Sequence, residues 1–378
     1  MSNNRIFLAS PHMSDEGYEK EFVKEAFDTN WIAPLGRNVN EFEKEIAEYV
    51  NIKDAAALSS GTSGIHMALK ALNIKENDVV FCSSLTFSAS VNPVIYQNAI
   101  PVFIDSERKT WNMDPKCLEL AFEKYPNPKA VIVVHLYGQP ANMDEIMRIC
   151  NEHSVPVIED AAESLGAKYK GKQTGTFGEF GIFSFNGNKI ITTSGGGMVV
   201  SNNKKAIEKI RFWSTQARDK ARYYQHTEIG YNYRMSNVVA GIGRGQLKVL
   251  NDRINKKREI YNRYKNEFSD IEYIEMMPEN EDAFTTHWLS TITLNNNSKV
   301  TPDDIIDSLE KENIESRPVW KPMHMQPVFK DFDFIKISEK ECISQELFEN
   351  GICLPSDTKM TNDDQDRVIK IIRSCFNV

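Results

Sequence analysis

Apolar residues fall into two alternating patterns over the first two thirds of the chain. Short runs of strand length occur at Ala55–Leu58, Val79–Cys82, Val102–Ile104, Val131–His135, Val157–Glu159, Ile182–Phe185 and Met198–Ser201. Between most of them lie segments with helical spacing. Gly64–Leu72 carries Ile65, Ala68, Leu69 and Leu72 on one face, and Met143–Glu152 carries Ile146, Met147 and Ile149. Such alternation predicts a mostly parallel sheet with helices on both sides. After Ser236 the pattern changes to two long helical stretches, Val238–Leu250 and a highly charged one from Asp252 to Phe268, which read as a connecting pair. Short strands at Glu272–Ile274 and Trp288–Leu294 follow, with helix starts at Thr301-Pro302 and Thr361-Asn362. The expectation is an α/β protein. A large domain over residues 1–245 holds a mostly parallel seven-stranded sheet, and residues 246–378 form linker helices and a smaller α+β domain.

Composition narrows the function class. With 378 residues, 41% hydrophobic and 26% charged, the chain is of ordinary globular make-up and too long for one small core. Its opening has no basic region and no apolar run longer than Ile6–Ala9, which predicts a cytoplasmic protein rather than an exported one. No apolar run approaches the roughly 20 residues that span a bilayer, so no membrane insertion is expected. A net charge of −8 without any basic cluster argues against nucleic acid as a partner. Six cysteines lie scattered without a CxxC pair or histidines at ligand spacing, so they are expected to be reduced packing residues, and no metal site is expected.

Three places carry candidate chemistry. Val155–Asp160 reads as a buried strand ending in two acids, and ligands of open α/β sheets sit at the carboxyl ends of strands. Asp160 there suits the ring nitrogen of pyridoxal phosphate (PLP), which a carboxylate keeps protonated, although a helix cap or a magnesium ligand fits the same residue. Lys189 follows an apolar strand and an Asn-Gly turn and precedes Ile190 and Ile191. Reduced solvation there favours a neutral, Schiff-base-forming amine, whereas the ordinary alternative is a surface lysine in a hairpin. Ser59–Gly64 is a small-residue loop ahead of a helix, equally a phosphate cradle or a capped turn, and Ser184 lies near enough to the Lys189 turn to add a hydroxyl. The stretches Ser194–Met198 and Gly241–Gly245 do not match a dinucleotide fingerprint and read as a flexible loop and a site of close helix packing. Trp31, Phe87, Trp213 and Trp320 are core aromatics by default, although a flat ring also stacks on pyridine.

Taken together, the stretches Ser10–Ser14, Asn30–Gly36, Ser60–Gly64, His135–Gly138, Glu159–Glu163, Ser184–Lys189, Gly230–Arg234 and Arg317–His324 resemble the DegT/DnrJ/EryC1/StrS sugar aminotransferases, a branch of the fold-type I PLP enzymes. The resemblance implies Lys189 as the lysine that binds the cofactor and Asp160 as the partner of its ring nitrogen. Phe87 would stack on the ring, and Thr62, Ser63 and Ser184 would meet the phosphate. Glu163 would sit near the phenolic oxygen, where many relatives have Gln or His. Asn232 would reach the phosphate from a second subunit, which implies a homodimer with shared sites. Ile32, Arg317, Trp320 and His324 would line the sugar-nucleotide pocket. Within the family the chain looks most like C4 aminotransferases that use L-glutamate and a UDP-2-acetamido-4-keto-2,6-dideoxyhexose to make the precursor of N-acetylbacillosamine for surface polysaccharide or glycoprotein. Aminotransfer to a GDP- or dTDP-linked keto-sugar is the near alternative. A dehydratase would commonly have histidine in place of Lys189, and a PLP-binding regulatory protein would not need the Lys189–Asp160 pair.

Overall fold

The computed structural model describes residues 4–377. All seven expected strands join one sheet: β1 (Asp54–Leu58), β2 (Val79–Ser83), β3 (Ile100–Ile104), β4 (Ala130–Val134), β5 (Val157–Asp160), β6 (Phe180–Ser184) and β7 (Gly197–Ser201). An eighth, β8 (Phe334–Ile335), adds to the edge from the C-terminal part of the chain. The order is β1-β7-β6-β5-β4-β2-β3-β8, and β7 alone runs against the rest, antiparallel to β1 and β6. Helices cover both faces, so alternate residues of each strand enter different cores. Val80, Cys82, Ile132 and Ile158 pack on one side, while Phe81, Val131, Val133 and Val157 pack on the other. Burial on both faces explains why these strands read as unbroken apolar runs.

Helix packing on this sheet uses the glycines of the 241–245 stretch. They lie in helix Asn237–Lys248, which packs on helix Tyr18–Asp28, and a β-carbon at Gly245 would crowd the backbone of Glu19. Helix Leu250–Glu267 follows almost at once and turns Ile260 and Tyr264 into the core of a second, four-stranded antiparallel sheet, ordered 274–276, 290–294, 351–354, 317–318. Thr301 and Thr361 each close a capping box at the start of their helices, as their positions predict. The strand expected from Trp288 begins two residues later, at Ser290. His287 has φ +49°, which breaks the extended run and sends Trp288 inward.

Candidate active site

The carboxyl ends of β5 and β6, the loop after β1 and the loop after β2 surround a cavity of about 340 Å³. Each element delivers a polar or aromatic group to it. β5 ends at Asp160, which is 6% exposed, accepts from the Ser90 hydroxyl at 2.6 Å and from the Ala162 amide at 3.1 Å, and lines the cavity. Ser90 is in turn 2.7 Å from the Thr86 hydroxyl, so the carboxylate is oriented by a short hydroxyl chain from the loop after β2. That loop also places Phe87 over the cavity, with its ring centroid 5.7 Å from that of Trp320.

Lys189 lies in the connection from β6 to the antiparallel β7. Its side chain is 13% exposed, with Nζ 3.6 Å from Glu163 Oε1 and 3.9 Å from the centroid of the Trp288 ring. Glu163 is buried, and its Oε2 accepts from the Tyr137 amide at 2.8 Å. Burial pushes the Glu163 carboxyl up from its ordinary range, and the neighbouring Lys189 opposes the shift. The Tyr137 hydroxyl accepts from the Trp320 amide at 3.0 Å, so one buried tyrosine ties Glu163 to Trp320. The Trp320 indole N–H faces Glu163 closely enough to oppose that shift, yet it makes no hydrogen bond of full geometry.

At the other wall, helix Gly61–Ala71 begins with a capping box, in which the Ser60 hydroxyl accepts from the Ser63 amide at 3.0 Å. Helix geometry leaves the first amides without intrahelical acceptors, and Gly61 and Thr62 of this first turn line the cavity with Ser184. Gly197 of β7 supports this turn from behind, because a β-carbon there would collide with the Ser60 carbonyl group.

This donor set fits PLP. A carboxylate stands ready for a ring nitrogen, an aromatic face for stacking, a shielded lysine for the aldehyde, and free helix-terminal amides with hydroxyls for a phosphate.

The cavity gathers Asp160, Lys189, Thr62, Phe87, Glu163, Ser184 and Trp320 of the expected residues. It does not gather the others. The Ser63 hydroxyl is turned away, donating to the Ser60 carbonyl at 2.7 Å as part of the cap. Arg317 is drawn out to Glu315, 3.0 Å away, and His324 is held by the Ser84 hydroxyl at 2.7 Å and stacked on Phe334. Ile32 and Asn232 are exposed and lie off the cavity of their own chain. Tyr137, Ser90 and Trp288 enter the site without having been singled out. Tyr137 had a signal in the His135–Gly138 stretch and sits at φ +53°, but Ser90 had none. Among the described residues no cluster of His, Cys, Asp and Glu could hold a metal ion, and no helix is long and apolar enough to cross a membrane.

Fold and cavity together define a PLP-binding α/β transferase. Residues 14–373 match the DegT/DnrJ/EryC1/StrS aminotransferase family, and the chain belongs to it. It is 54% identical over 379 aligned positions to EpsN of Bacillus subtilis (strain 168), whose name assigns it provisionally to the pyridoxal phosphate-dependent aminotransferases; the match covers 99% of this chain and 97% of that one. It is 39% identical to a GDP-perosamine synthase of Escherichia coli O157:H7, over 92% of each chain. A UDP-4-amino-4,6-dideoxy-N-acetyl-beta-L-altrosamine transaminase of Campylobacter jejuni (strain 81-176) shares 35% over 80% of this chain and 79% of its own. The crystal structure of a family aminotransferase from Brucella abortus superposes with a TM-score of 0.87 at 27% identity, covering 95% of both chains. The protein is therefore a PLP-dependent sugar aminotransferase.

Proposed function

We propose that this enzyme moves the amino group of L-glutamate to C4 of a UDP-2-acetamido-4-keto-2,6-dideoxyhexose, supplying a 4-amino sugar for surface polysaccharide or glycoprotein. The observation that carries the reading is the convergence of the Lys189 amine, the Asp160 carboxylate and the Phe87 ring in one cavity. PLP, when bound, supplies the electron sink that lets a Cα–H bond of the amino donor break. Lys189 is the base that takes the Cα proton of glutamate and later gives a proton to C4 of the sugar from one side, which fixes the stereochemistry. Asp160, oriented by Ser90, holds the proton on the ring nitrogen. Phe87 would pack on the ring, and Thr62 and Ser184 with the helix-terminal amides would take the phosphate. Trp320 lines the sugar side of the cavity.

The enzyme acts in the cytoplasm as a homodimer, in which Asn232 and the exposed Ile32 serve the site of the other subunit. The UDP and N-acetyl groups in the Campylobacter jejuni relative's name favour the proposed sugar. A second reading, a GDP-linked keto-sugar, is favoured by the relative named GDP-perosamine synthase. The purified protein with PLP, glutamate and the UDP-keto-sugar decides between them when the sugar is followed by mass spectrometry. Replacement of the keto oxygen by an amine is expected. Conversion of glutamate without any change in the UDP-sugar, and amination of the GDP-keto-sugar instead, would overturn the nucleotide assignment and keep the chemistry.

A further inference from the structure

Lys189 also lines a second, much smaller cavity of about 10 Å³, together with Lys257, Ser10, His12 and Asp357. Lys257 comes from helix Leu250–Glu267 and is 3% exposed. Its Nζ donates to two carbonyls, those of Trp288 and Ser356, each at 2.8 Å. A neutral amine has two N–H groups and an ammonium three, so two acceptors satisfy the neutral form and leave one buried donor over in the charged form. Burial correspondingly pushes the Lys257 pKa down to about 7, against the opposing pull of Asp357. Asp357 itself accepts from the Ser10 hydroxyl and from the Lys359 amide, and the His12 Nδ1 is paired with the Thr358 hydroxyl at 2.8 Å. The Ser10–Ser14 stretch and the residues that follow strand 351–354 thus meet around this lysine.

The carbonyl that Lys257 holds belongs to the residue whose ring covers the catalytic lysine. Trp288 is 1% exposed, and its indole N–H donates to the carbonyl of Asn188, the residue before Lys189, at 2.8 Å. The ring is therefore fixed at its backbone by Lys257 and at its edge by the Lys189 turn. Its centroid stands 3.9 Å from Lys189 Nζ. An ammonium over an indole face is attracted by the ring's quadrupole, so a ring fixed in this way sets where Nζ rests.

We propose that Trp288 is a positioning residue for Lys189 and that Lys257 acts on the same lysine through it. The inference rests on Lys189 being the reactive lysine of the proposed function. It assigns work to two residues that have no role in that reading: Lys257 locks the indole, and the indole seats the amine whenever that amine is free.

The test reads Lys189 directly in cofactor-free protein. Acetic anhydride labelling of Lys189 is followed by peptide mass spectrometry from pH 8 to 11. Lys257→Met removes the two hydrogen bonds to the Trp288 and Ser356 carbonyls. Trp288→Leu is expected to lower the pH midpoint of labelling by about half a unit or more, because the ammonium loses its aromatic seat. Lys257→Met is expected to move the midpoint in the same direction, and the double variant no further than Trp288→Leu alone. An unchanged midpoint in Trp288→Leu, or additive shifts in the double variant, would overturn the proposal. Should Lys257→Met fail to give a native circular dichroism spectrum, Lys257→Gln takes its place in the cycle. Borohydride reduction of the holoenzyme, with mapping of the modified peptide, separately identifies the lysine that binds the cofactor. A different lysine there would sink the reading beneath the inference, whatever the labelling shows.

Discussion

Asp160 and Glu163 are three residues apart, both buried, and held in different ways. Asp160 is oriented by a hydroxyl and an amide and lines the cavity. Asp160→Asn keeps the shape and removes the charge that, in the proposed function, holds a proton on the ring nitrogen. It is expected to fold normally and to lose about 10²-fold or more in turnover, equivalent to about 3 kcal/mol at the transition state. Steady-state kinetics at saturating PLP checks this, and wild-type turnover would remove the role. Glu163 is dominated by burial, which raises its pKa. A carboxyl with a raised folded pKa gives stability that is complete below its unfolded value and is lost as pH rises through the folded value. Glu163→Gln has no such loss. Between pH 4 and 8 the melting temperature of the cofactor-free variant should therefore gain on that of the wild type as pH rises. A difference that stays flat across that range would show that the carboxyl does not titrate differently on folding.

At the scale of elements, the loop after β1 combines cap and cradle. The Ser60 hydroxyl satisfies one of the first amides of helix Gly61–Ala71, which leaves the Gly61 and Thr62 amides for an anion. Ser60→Ala should cost about 1 kcal/mol of stability, the usual value of a cap, and should also weaken PLP retention because the helix end frays where the phosphate is proposed to bind. Equal retention by equilibrium dialysis would separate the cap from the cradle. These elements were legible in the sequence because burial on both faces leaves unbroken apolar runs and because Asp160, Lys189 and Ser60–Gly64 sit at strand ends. The two-residue β8 was not legible, since Phe334–Ile335 is too short to show a period. Trp288 was hidden by the positive φ of His287, a local turn that no spacing rule announces. The directions of Arg317 and His324 depend on Glu315 and Phe334, neighbours known only once the chain is folded.

For the whole molecule, the residues that do not reach the cavity of their own chain carry the argument. Phe27, Trp31, Ile32 and Leu35 are each at least half exposed along one stretch that begins at the end of helix Tyr18–Asp28, and contiguous exposed apolar surface marks an interaction site. Asn232 is exposed as well, next to the stacked pair Tyr231 and Tyr233. In the proposed homodimer both features serve the partner's cavity, and a two-fold axis then gives each site Lys189 from one chain and Asn232 from the other. Asn232→Ala alone should weaken PLP retention without unfolding the chain, and Lys189→Ala alone should be inactive. Co-expressed as differently tagged chains, the two variants assort into mixed dimers in which one site carries both lesions and the other carries neither. Random assortment makes half of the dimers mixed, so their intact sites should add about a quarter of the wild-type activity to whatever the Asn232→Ala sites retain, and the intact site of a purified mixed dimer should supply about half. Activity no higher than that of the two parent variants would mean that each site is built from a single chain, and the exposed stretch around Trp31 would then require another explanation.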